Sequence, residues 1–161
     1  MKTTILTMLL FALSLGCIAQ TELTIQGGVT ALDDSFRGNT LTSEIELMYT
    51  VPEINVGIAG TYRFVGVQYL NYNAFDLQTT YRQQLLDNLD TIILIGGTWN
   101  SLYRDIDASV GFKSRYHVSD IAFISLGLDQ VYATPVETHI LGGVGIRLSP
   151  LSGPPESKRF F

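Results

Sequence analysis

The sequence predicts an all-β fold: an eight-stranded antiparallel up-and-down transmembrane β-barrel with short turns. Three observations predict it. First, the 161 residues are 46% apolar but only 16% charged, whereas a soluble domain carries nearer a quarter of charged residues. Yet nothing after the N-terminal segment is continuously apolar over the roughly 20 residues that a membrane helix requires. Second, the chain breaks into short runs with period-2 alternation, separated by turn residues. Third, the polar face of those runs is crowded with glycine, alanine and serine.

The N-terminal segment reads as a targeting sequence and stands apart from the fold. Lys2 supplies a positive start, Ile5 to Leu15 an apolar run, and Cys17-Ile18-Ala19 a small-residue site before Gln20. Residues 1–19 are therefore expected to be a signal peptide cleaved near Ala19/Gln20. Lipidation of Cys17, the single cysteine, is the alternative; Ser14 and Leu15 fit that signal poorly. Residues 20–149 form the expected barrel, and residues 150–161, rich in Pro, Ser and Gly, an expected periplasmic tail.

The alternation is clearest over residues 54–64. Val56, Ile58, Tyr62 and Phe64 share one face; Asn55, Gly57, Ala59, Thr61 and Arg63 share the other. Residues 106–117 repeat it, with Ile106, Ala108, Val110, Phe112 and Tyr116 opposite Asp107, Ser109, Gly111, Lys113 and Arg115. The same test predicts strands over 22–32, 42–50, 54–64, 70–82, 89–100, 106–117, 121–132 and 138–148. Only residues 81–88 hint at a helical period, over barely two turns. Residues 33–40 form a polar loop, Val51-Pro52-Glu53 a tight turn, and Ser119-Asp120 and Thr134-Pro135 further turns. Such short links make successive strands antiparallel neighbours. An even count lets the meander close and abolish its edges.

Alternation alone does not say which face is outside. Small residues (Gly28, Gly57, Ala59, Ser109, Gly111, Gly127, Gly143, Gly145) crowd the polar face, as the narrow interior of an eight-stranded barrel requires. Aromatics (Tyr49, Tyr62, Phe64, Tyr81, Trp99, Tyr116, Tyr132) lie towards the ends of the apolar face, where headgroup girdles would sit. The centre of that face lacks charge, which lipid demands. The apolar face is therefore expected outside, against membrane lipid.

The pattern, size and signal sequence resemble the small outer-membrane barrels of the protein A and protein X type, over nearly the whole mature length. The resemblance implies a Gram-negative outer-membrane location, a monomer, and assembly by the barrel-assembly machinery. It also implies a structural or surface role of porin-like architecture. Gly143-Val144-Gly145-Ile146-Arg147-Leu148 is similar to a C-terminal β-signal, although Leu141 replaces a polar residue and the chain runs on to Phe160-Phe161. The Ala-Gln end of the signal segment is similar to signals in Bacteroidota. No cofactor is expected, and no metal-ligand cluster is identifiable. The net charge of −5 and scattered basic residues exclude a nucleic-acid stripe.

The lumen-facing charges are expected to pair in a network of Glu44, Glu46, Arg63, Asp76, Arg82, Asp90, Asp107, Lys113, Arg115, Asp129 and Arg147. Two alternatives stay open. Ile92, Leu94, Ile121 and Phe123 would form an apolar slot for an acyl chain or another apolar ligand. His117-Val118-Ser119 resembles the His-x-Ser pair of outer-membrane lipid A deacylases, with Asp129 as the acid, although Asp120 stands where that family has asparagine.

Overall fold

The computed structural model describes residues 20–32, 41–67, 70–102 and 104–148. The targeting segment, the 33–40 loop and the tail from 150 lie outside the described residues. Eight strands follow one another: β1 (Gln20–Leu32), β2 (Leu41–Val51), β3 (Val56–Val67), β4 (Leu70–Leu86), β5 (Leu89–Asn100), β6 (Ile106–His117), β7 (Ala122–Val131) and β8 (Glu137–Arg147). Each pairs antiparallel with its sequence neighbour, and β8 closes on β1. Closure satisfies every strand edge within the wall, which a strand protein surrounded by hydrocarbon must do.

The elements match the alternation, with differences at their ends. Residues 81–88 are not helical. β4 continues to Leu86 with an irregularity between Gln84 and Leu86, then turns at Asp87-Asn88 into β5. Pairing along β5 holds the hairpin extended, and eight residues of ambiguous period are too short to nucleate a helix against it. The β2–β3 turn closes at Asn55, whose φ of 55° suits asparagine. Its carbonyl accepts a hydrogen bond from the Arg82 amide at 2.8 Å.

The register fixes the barrel's shape. One circuit across the ladders runs Glu22, Met48, Ala59, Gln78, Gly96, Ser109, Val131, Glu137 and back to β1 at Leu32. The circuit thus climbs ten residues along β1, so the strands tilt by about 40° and the interior is only wide enough for side chains.

Alternation sorts into two faces. Ile25, Ile45, Ile58, Leu77, Ile95, Phe112, Leu126 and Val144 are exposed on the outside, whereas Glu22, Glu46, Arg63, Asp76, Lys113, Arg115 and Asp129 are buried inside. Apart from Phe112 midway along β6, the most exposed outward aromatics form two levels. Tyr62, Phe64, Phe75, Trp99 and Tyr132 lie towards one end, and Tyr81 and Tyr116 towards the end where β1 begins and β8 finishes, the terminal end of the described barrel. The levels are roughly 20 Å apart along the axis, given the rise and tilt of the strands.

Glycines make room for the large interior side chains. Asp129 pairs across the ladder with Gly111, Lys113 with Gly127, and Phe123 with Gly145. A Cβ at Gly127 would stand 3.2 Å from Lys113 Cγ. At the β8–β1 seam, a Cβ on Gly143 would meet the Ile25 carbonyl and lie 2.7 Å from Gln26 Cα, whereas one on outward Gly142 has nothing nearer than 3.9 Å. Gly143→Ala is therefore expected to lower stability by about 1–3 kcal/mol. Gly142→Ala should stay within about 0.5 kcal/mol. Urea unfolding of the two variants in lipid vesicles checks the contrast.

Candidate functional site, an ion-pair network in the lumen

The strand register stacks the interior charges in levels. Furthest from the termini of these, Arg63 on β3 lies among three carboxylates. Its Nε is 3.2 Å from Glu44, and its Nη2 is 3.0 Å from Asp76 and 2.9 Å from Asp129. Below it, Lys113 Nζ sits 3.0 Å from Glu44 and 2.6 Å from Glu46. Arg115 Nη2 then reaches Glu46 at 2.8 Å, while its Nη1 pairs with Glu22. Nearest the termini, Glu22 also pairs with Arg82 and, at 3.5 Å, with Arg147. The balance inverts along the axis: one guanidinium among three carboxylates gives way to one carboxylate among three guanidiniums.

Several bonds cross the lumen rather than follow its wall. Arg63 on β3 reaches Asp129 on β7, and Lys113 and Arg115 on β6 reach Glu44 and Glu46 on β2. In an eight-stranded ring those strands stand opposite each other. Arg63, Lys113 and Arg115 are no more than 1% exposed. Charges so far from water are tolerable only when each is paired and hydrogen-bonded.

Sequence parity points to the lumen for the eleven charges named above, and the structure places nine of them buried. Asp107 and Arg147 are half-buried, near opposite ends of the barrel. The hub Glu22 was missed although it shares parity with Thr24 and Gln26; as the first residue of an expected strand it looked like a terminus. His139 was missed too. Its Nδ1 is 2.7 Å from Thr30 Oγ1 and its Nε2 3.4 Å from Glu137.

The two alternative constellations are not assembled. His117 pairs across the ladder with Phe123, and Asp129 with Gly111. Six residues of β6 separate these positions, roughly 20 Å. Asp129 therefore does not reach His117, whose Nε2 instead lies 2.8 Å from Asp90. The Ser119 hydroxyl accepts from the Ala122 amide at 3.1 Å and so caps the β6–β7 turn. Of the expected slot, Ile92 and Leu94 are fully buried and belong to a cluster with Met48 and Ala59. Phe123 lies under Arg115, 4.7 Å from guanidinium carbon to ring centroid. Ile121 is exposed in the turn, because the Ser119 cap redirects the chain before β7 begins at Ala122.

No protein-family model and no curated protein matches the chain. The fold does match solved structures. A de novo designed transmembrane β-barrel superposes with a TM-score of 0.63 at 12% identity, covering 81% of this chain and 96% of that one. The N-terminal β-barrel domain of Pseudomonas aeruginosa OprF gives 0.59 at 16% identity, covering 80% and 98%. Ail, the attachment invasion locus protein of Yersinia pestis, gives 0.55 at 10%, covering 80% and 97%. The chain folds as a small eight-stranded transmembrane β-barrel. Identities this low establish architecture alone, and architecture does not fix activity.

Proposed function

We propose that this protein is an outer-membrane barrel with a structural or surface role, its lumen closed by the ion-pair network. One observation carries the reading: Arg63, Lys113 and Arg115 bond to carboxylates on the opposite wall, at successive levels, and none of the three is open to water. Such cross-braces stiffen a ring and leave no continuous aqueous path, in keeping with the narrow interior of eight strands. The apolar exterior between two aromatic levels supports lipid as its surroundings. The continuous lipid-facing surface also favours a monomer, made by the barrel-assembly machinery.

The test combines location with conductance. Protein from outer-membrane fractions should resist a carbonate wash and migrate faster unheated than boiled. Reconstituted in planar bilayers, it should show no resolvable single-channel steps. Steady conductance steps from the wild-type protein would overturn the closed lumen, and release by carbonate without heat modifiability would overturn the membrane assignment.

A further inference from the structure

Below the lowest level of the network, the barrel opens at the end where β1 begins and β8 finishes. The opening holds a polar cavity of about 530 Å³. That volume lies within the range of small-molecule sites, yet its lining departs from the usual apolar one. Arg82, Arg147, His117 and Asp90 line the floor, and Asp87 and Asp120 stand on the β4–β5 and β6–β7 turns. Among the described residues, no tyrosine, tryptophan or phenylalanine lines it.

The charges are segregated by depth. On the floor, Arg82 and Arg147 converge with Arg115 on the single carboxylate of Glu22. Arg82 Nε is also 3.5 Å from Asp90, and Arg147 Nη1 donates to the Asp120 carbonyl at 2.9 Å. Arg82 Nε is buried and makes no hydrogen bond among the described residues. The Arg82 and Arg147 side chains are 9% and 10% exposed, and both line the cavity, held in place by their ion pairs. His117, 2.8 Å from Asp90, pins the carboxylate that steadies Arg82. At the rim, the carboxylates of Asp87 and Asp120 are exposed and have no cationic partner among the described residues. A floor rich in guanidinium beneath a rim of free carboxylate favours a ligand whose own charges are opposed and similarly spaced.

We propose that this mouth binds a small zwitterion of the amino-acid or short-peptide class. Its carboxylate is held by Arg82 and Arg147, in the charge-assisted geometry that guanidinium favours, and its ammonium faces Asp87 and Asp120. The site stands whether or not the lumen conducts, and whichever membrane holds the barrel.

Isothermal titration of the protein purified from membranes in detergent tests it, with four probes: glycyl-lysine, its C-terminal amide, its N-acetyl form with the lysine amine acetylated, and acetate. Glycyl-lysine should saturate one site, and either blocked form should bind at least about tenfold more weakly. Arg147→Gln and Asp120→Asn should each weaken glycyl-lysine by about tenfold, with gel heat modifiability retained to show that the barrel is folded. Equal binding of acetate and glycyl-lysine would overturn the zwitterion in favour of a plain anion site. Absence of binding by all four to heat-modifiable protein, or binding unchanged in both variants, would overturn the site itself.

Discussion

Glu22→Gln is expected to cost the folded barrel about 3–5 kcal/mol, the scale of breaking a buried ion pair from one side. Glutamine keeps the shape and removes the charge, leaving Arg82, Arg115 and Arg147 around a neutral amide. Arg115 retains Glu46 and Arg82 retains Asp90, but Arg147 has no other carboxylate partner among the described residues. Urea unfolding in phospholipid vesicles should show a lower midpoint at unchanged slope, which marks a stability change rather than a changed unfolded state. Glu53→Gln, in the exposed β2–β3 turn, should stay within about 0.5 kcal/mol. Adding Arg147→Gln to Glu22→Gln should recover part of the loss, because removing the unpaired cation removes part of the penalty. A loss below about 1 kcal/mol for Glu22→Gln would mean that water already reaches this level, and the lumen would not be closed there.

That Glu22 matters so much was legible only in part. Period-2 alternation states which face each residue takes, and it placed Glu44, Glu46, Arg63, Lys113 and Arg115 together inside without any structure. It does not state which residues meet across the ring, because that depends on shear. Arg63 and Asp129 are 66 residues apart, and nothing local to either predicts the pairing. The same limit explains His117. The resemblance puts Asp129 forward as its acid, although at a different spacing from the family's, but the β5–β6 register brings Asp90 to it. Strand ends are the other weak point. Ile121 shares parity with Phe123 but lies beyond the residue where pairing starts, and a hydroxyl cap rather than hydrophobicity decides that limit. The terminal mouth was illegible for a related reason: its lining comes from several strands and turns, which only closure brings together.

Leu126→Arg is expected to cost about 2–4 kcal/mol or to abolish insertion, the penalty for a cationic side chain at the middle of a lipid-facing strand. Leu126 is central in β7, points outward and is flanked across the ladders by Ser114 and Gly142, so no neighbour offers a counter-charge. The value of the experiment lies in its depth dependence. Tyr132, just past the same strand's other end, is also exposed, and belongs to the aromatic level furthest from the termini. Tyr132→Arg should cost only about 0–1 kcal/mol, because at the interface arginine reaches headgroups and water. Were the exterior bathed in water, both variants would fall within about 0.5 kcal/mol of wild type and Leu126→Arg would improve solubility. A penalty that is large at Leu126 and small at Tyr132 follows from hydrocarbon between the two girdles, whereas equal small effects would leave the apolar belt needing a protein partner to cover it.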